Sequence, residues 1–206
     1  MHKGSKLSNS LFSGDKDWKA NACLNWSHDT IGFYIEGYRE AADRLVHDVV
    51  ESGTDQDILV FPISFLYRQY IELQLKHIIR ESRILLEEGA SFPEHHRIGD
   101  LWNTANSLMA RIIKNHDQSI KGYITKADVQ AIKTIITEFV KVDPESFAFR
   151  YPKDKKGNNN LDGIQYINLR KLHDQMEVLK EKLDKYYLCV SLLRDFQNEM
   201  RANYGP

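Results

Sequence analysis

The chain has only two cysteines among 206 residues, Cys23 and Cys189, and no CxxC or Cys/His spacing. A disulfide framework or structural zinc site is therefore not expected, and the sequence points to no metal or other cofactor. It has no apolar run of the roughly 20 residues needed to cross a membrane. Its longest, Ile58 to Ile63, is broken by Pro62. Met1 to Gly14 lack the basic start and apolar stretch of a secretory leader, so a cytoplasmic protein without membrane contact is expected. No GxGxxG, GxxxxGK[ST] or GxSxG occurs, which removes support for dinucleotide, P-loop and hydrolase-elbow folds. Neither sign of charge dominates: 28 basic residues face 29 acidic ones. Any grip on RNA must then come from a local patch. Hydrophobic residues at 42% and charged residues at 28% are ordinary globular composition.

What is present is helical periodicity. Residues 1–17, rich in Ser, Lys, Gly and Asn, read as a flexible tail, and 18–206 as one domain, with Trp18, Leu24 and Trp26 anchoring the lead-in. Ile31, Ile35, Ala42, Val46 and Val49 recur in three- and four-residue steps and predict a helix from about Asp29 to Glu51. A second is expected to begin at Pro62, a first-turn residue, and to run to about Gly89. A third, about Gly99 to Asn115, presents Leu101, Trp102, Ala105, Leu108, Met109 and Ile112. A fourth, about Lys126 to Val142, is capped near Thr125. The last begins at Leu169 and carries a long three-four seam through Met176, Leu179, Leu183, Tyr186, Val190 and Leu193. That seam fits the spine of a monomer or half of a homodimer.

The period changes once. In Phe147-Ala148-Phe149-Arg150-Tyr151 the aromatics alternate, and Ile164 to Ile167 offers a return strand, so a small β-hairpin with a loose tip is expected within about 146–168. The expected fold is all-α: a bundle of about five helices with that hairpin before the last one.

Four groups of residues can carry chemistry. Arg68, Glu72 and Lys76 stand four apart and share one helix face, either as a site cluster or as a salt-bridged solvent face. Of His95 and His96 in the following loop, one can orient the next helix or serve as an acid or base. Arg150 sits in an aromatic segment beside Pro152, fixed well enough to bind phosphate or clamp Glu72 or Asp143; Lys153, Lys155 and Lys156 extend that basic stretch. Arg111-Ile112-Ile113-Lys114-Asn115-His116 sets an arginine and a histidine close in sequence. Eleven arginines and eight histidines supply about one such Arg-x(4–6)-His match by chance.

The order Arg68-x-x-x-Glu72-Leu73-x-Leu75-Lys76-x-Ile78-Ile79, then His96-x-x-Gly99-Asp100-Leu101-Trp102, then Phe149-Arg150-Tyr151-Pro152 resembles the HEPN (higher eukaryote and prokaryote nucleotide-binding) superfamily. The resemblance spans roughly Ile63 to Leu193. It implies a helical bundle that often dimerises, and a role in RNA cleavage or nucleotide binding in toxin–antitoxin or phage-defence systems. The step after the loop departs from the family pattern, reading Arg97-Ile98-Gly99-Asp100-Leu101. Two functions follow. One is a metal-independent endoribonuclease with Arg150 and His96, or Arg111 and His116, as catalytic residues, RNA as substrate, and an antitoxin or defence protein as partner. The other is a non-catalytic helical module in which Arg68, Glu72 and Lys76 hold an anionic ligand or the surface holds a protein partner.

Overall fold

The central element is a 30-residue helix whose buried residues lie on almost every side. A computed structural model of the chain describes residues 10–24, 26–27, 29–116, 120 and 122–205. Among them five long helices form an all-α bundle: α1 (Ile31–Ser52), α2 (Gln56–Leu85), α3 (Ile98–Asn115), α4 (Lys126–Val142) and α5 (Leu169–Tyr204). Helix α2 packs against α1, α3 and α5, while α4 packs against α3 and α5. Ile63, Tyr67, Ile71, Leu75, Ile78 and Ile79 are fully buried on α2. A helix apolar on so much of its circumference must lie inside a bundle. No helix among the described residues is long and apolar enough to cross a membrane.

The helix boundaries expected from periodicity hold closely, with one shift. α2 starts at Gln56, six residues before Pro62. Pro62 cannot donate a backbone hydrogen bond and ordinarily breaks a helix interior. Here Pro62 and Ile58, whose carbonyl it leaves free, both lie on the exposed side, where water can satisfy that carbonyl. The first turn is instead held by Asp55, whose carbonyl accepts from the N–H groups of Ile58 (3.0 Å) and Leu59 (2.8 Å). At α4, Thr125 and Asp128 form a reciprocal capping box.

The seam of α5 is spent inside the monomer. Met176, Leu179, Leu183, Tyr186, Val190 and Leu193 are all buried against the other helices. What α5 leaves uncovered is a different line, Leu188, Leu192, Phe196 and Met200.

The expected β-hairpin is not there. Among the described residues the only pairing in this region is an isolated bridge between Lys153 and Asn159. Phe147 to Tyr151 coil into a helical turn: the N–H groups of Arg150 and Tyr151 donate to the Phe147 carbonyl at 3.1 and 3.2 Å. The rings of Phe147 and Tyr151 meet across that turn, 4.5 Å apart. Alternating aromatics therefore arose from a turn in which Ala148 and Phe149, adjacent residues, are both buried. The cause is Asp143, whose Oδ1 accepts the N–H groups of Phe147 (2.5 Å) and Ala148 (2.9 Å). The tip is held by Asp154, whose carboxylate accepts from Lys156 and Asn158. The lead-in also differs from expectation. Trp18, Leu24 and Trp26 are mostly exposed, and Trp26 rests on Phe33 rather than in the core. Residues 1–9 of the expected tail lie outside the described residues.

Candidate functional site

A buried ionic network ties three segments together at one flank of α2. Spacing of four residues, just over one turn, stacks Arg68, Glu72 and Lys76 on a single face. All three are buried, Arg68 completely. The Arg68 guanidinium donates to Glu72 Oε2 (3.2 Å), to the Asp143 carbonyl (3.2 Å), and to the carbonyls of His96 (2.6 Å) and Pro144 (3.5 Å). Thus α2 is joined to the loop before α3 and to the segment after α4. The Arg68 Nε also stands 3.5 Å from Asp143 Oδ2. That oxygen has no hydrogen bond among the described residues, so the contact is an ion pair only.

Glu72 receives the second half of the network. Its Oε1 accepts from Lys76 Nζ at 2.9 Å and lies 2.8 Å from His96 Nδ1. Burial alone would raise the Glu72 carboxyl, but the Lys76 and His96 hydrogen bonds outweigh it and hold the carboxyl below its ordinary value. Burial pulls the Arg68 guanidinium down from its ordinary value, opposed by Asp143 and Glu72. Because Nδ1 of His96 is spent on an ionised carboxylate, that nitrogen carries the proton and Nε2 is the basic one. The His96 side chain is 61% exposed, so the basic nitrogen belongs to the surface. Lys76 Nζ lies 5.7 Å from the centre of the Phe92 ring.

Arg150 is near this network but not bonded into it. Its Nε donates to the Ser146 carbonyl at 2.7 Å. Its guanidinium lies 5.8 Å from the Phe65 ring centre and 5.6 Å from that of Tyr151. The side chain is exposed, and among the described residues its terminal nitrogens donate to no protein acceptor. It borders an open cavity of about 720 Å³ shared with Phe61, Tyr151, Asn159 and Gln165. Lys153, Lys155 and Lys156 are exposed beyond it.

The other sequence candidates are not brought together. Arg111 is exposed and forms a two-point pair with Glu88. His116 ends α3, where its backbone N–H donates to the Ile112 carbonyl at 3.0 Å. Five residues along a helix is about 140° away from one face, so the sequence spacing does not align the two side chains. His95 orients the start of α3, its Nδ1 accepting the Arg97 N–H at 3.3 Å.

Two members of the site were not singled out from the sequence. Phe65 carries no signal, since an aromatic on α2 reads as core. Asp143 was noticed only as a partner for Arg150. Its place before Pro144 is a usable turn signal, because a short carboxylate there can cap the N–H groups that follow. Comparison of the chain with protein-family models, curated proteins and solved structures finds no match.

Proposed function

We propose that the chain is a HEPN-like helical module of toxin–antitoxin or phage-defence type that binds a phosphate-bearing ligand, RNA or a nucleotide, at Arg150. The observation that carries this is the state of that side chain. Its Nε is fixed by the Ser146 carbonyl, and its terminal nitrogens are left for a ligand beside a cavity. A planar guanidinium so held presents parallel N–H donors to phosphate oxygens. Phe65 and Tyr151 offer ring faces near the same place, as base recognition requires. Arg68, Glu72, Lys76 and Asp143 serve as the frame, since their charges are already consumed by one another.

Endoribonuclease activity is a second reading, favoured by His96. A histidine oriented by Glu72 with a basic Nε2 at the surface can take the 2′-OH proton of RNA as that oxygen attacks phosphorus. Arg150 would stabilise the charge gathering on the phosphoryl oxygens as the P–O5′ bond breaks, and the 5′ oxygen would take its proton from water. Arg111 and His116, the alternative pair, fit this activity less well, because Arg111 is taken up by Glu88 and the two do not share a helix face; an antitoxin or defence protein would be the partner.

The test measures binding of a labelled oligoribonucleotide and of ATP by anisotropy, and RNA cleavage with and without chelator. Arg150→Ala should lose binding by 10-fold or more while melting normally, and Arg111→Ala should bind as wild type. His96→Ala should abolish cleavage, if cleavage is seen, and spare binding. Unchanged binding by Arg150→Ala, together with loss in Arg111→Ala or His116→Ala at normal stability, would overturn the placement.

A further inference from the structure

Tyr67 precedes Arg68 and so points about 100° away around α2, toward a second cluster unconnected with the Arg150 surface. The buried Tyr67 hydroxyl donates to Asp43 Oδ1 at 2.8 Å and lies 3.0 Å from His173 Nδ1. Asp43 Oδ1 and His173 Nδ1 are themselves 3.4 Å apart, too long and too poorly directed for a good hydrogen bond. One turn along α5 from His173 stands Glu177. Ligating atoms of Asp43, His173 and Glu177 all lie within 4.8 Å of one another.

We propose that Asp43, His173 and Glu177 bind a divalent transition-metal ion of the zinc type, with a fourth position open to solvent. Zinc takes imidazole nitrogen and carboxylate oxygen at about 2.0–2.2 Å, which places neighbouring tetrahedral ligands about 3.3 Å apart. The 3.4 Å between Asp43 Oδ1 and His173 Nδ1 matches that edge. Three protein ligands drawn from two helices, with the metal's last position facing water, is the arrangement of an open zinc site.

The surroundings support an ion in three ways. Arg39 takes Asp43 Oδ2 in an ion pair, leaving Oδ1 turned toward His173; ligating carboxylates are commonly oriented by such an outer partner. Tyr67 donates to the same Oδ1 at 2.8 Å, a hydrogen bond that helps fix the direction in which the carboxylate points. Finally, Arg39 faces four carboxylates, Glu36, Glu40, Asp43 and Glu177, and the further cation near them, Lys180, is paired with Asp184. Its contact to Glu177 is long, 3.7 Å, and the Glu177 side chain is half exposed, so that carboxylate is able to turn onto a metal.

The experiment is calorimetric titration of chelator-stripped full-length protein with zinc chloride, and with cobalt chloride followed by visible absorption. One equivalent per chain should bind, with the cobalt form showing the intense d–d bands of four-coordination. His173→Ala and Glu177→Gln should each weaken binding 10-fold or more. Zinc should raise the melting temperature of wild type and leave that of His173→Ala unmoved. His47→Ala serves as control, because His47 lies one turn beyond Asp43 on α1 and, among the described residues, its ring is paired only with exposed Glu51, at 3.4 Å. No binding heat up to millimolar zinc, equal affinity in His173→Ala with normal circular dichroism, or equal loss in His47→Ala would each overturn the site.

Discussion

Arg68 shows how one side chain can hold three segments of chain in place. A buried guanidinium is costly to desolvate, and its gain comes from Glu72, Asp143 and the three carbonyls it reaches. Removing it leaves Asp143 buried without its counterion and takes one of three partners from Glu72, which keeps Lys76 and His96. Arg68→Met, similar in length, should therefore destabilise by about 3–5 kcal/mol, measured by urea denaturation. Arg150→Ala, an exposed position, should stay within about 0.5 kcal/mol of wild type. The contrast separates the frame from the surface it supports. Glu72 adds a pH signature: its folded-state carboxyl lies below the ordinary value, so its contribution is present above pH 4.5 and disappears as pH falls through the folded value.

Between helices, His77 is the sensitive contact. It lies on α2 with its ring 4.7 Å from that of Tyr187 on α5. Burial first, then the charges of Arg80 and Arg194, push its imidazole down to about 4, against an opposing pull from Asp29; Glu81 Oε1 also stands 3.8 Å away. The native state therefore holds His77 neutral while the unfolded chain protonates it near 6.5. Stability from this group is complete above pH 6.5 and is lost as pH falls toward 4, a change of up to about 3 kcal/mol. Denaturation midpoints followed from pH 7 to pH 4 should fall, and His77→Gln should flatten that fall. α2 carries a second testable feature in Pro62. Restoring the missing N–H with Pro62→Ala should stabilise the protein by about 2 kcal/mol, the helix-interior cost of proline less its effect on the unfolded chain. A lower melting temperature would show instead that the packing of α2 depends on the proline.

For the molecule as a whole, we predict self-association along the outer line of α5. The inner seam is buried within the bundle, so a dimer built on α5 would use Leu188, Leu192, Phe196 and Met200, each at least 43% exposed. These four stand one turn apart along about 18 Å of helix. An apolar stripe of that length on a charged surface favours pairing with a second copy in a two-fold, self-complementary contact. Sedimentation at micromolar concentration should give twice the 24.0 kDa chain mass, and Leu192→Glu should return it to the single-chain value. A wild type that sediments as one chain would remove the homodimer from the functional scheme.

The sequence by itself determined the helices and the inward face of most of them. Ile98–Asn115 and Lys126–Val142 match the periodicity almost residue for residue, because burying an apolar stripe at 3.6-residue spacing leaves little choice of secondary structure. It also placed Arg68, Glu72 and Lys76 on one face, since that follows from helical geometry alone. Tertiary structure decided the rest. Whether that face met water or a buried carboxylate depended on Asp143, 75 residues from Arg68, and no local pattern reports such a contact. The Phe147–Tyr151 alternation looked like a strand until Asp143 Oδ1 captured two backbone N–H groups and closed a turn. Asp43 and His173 lie 130 positions apart, and only the packing of α1 and α5 around Tyr67 brings them together.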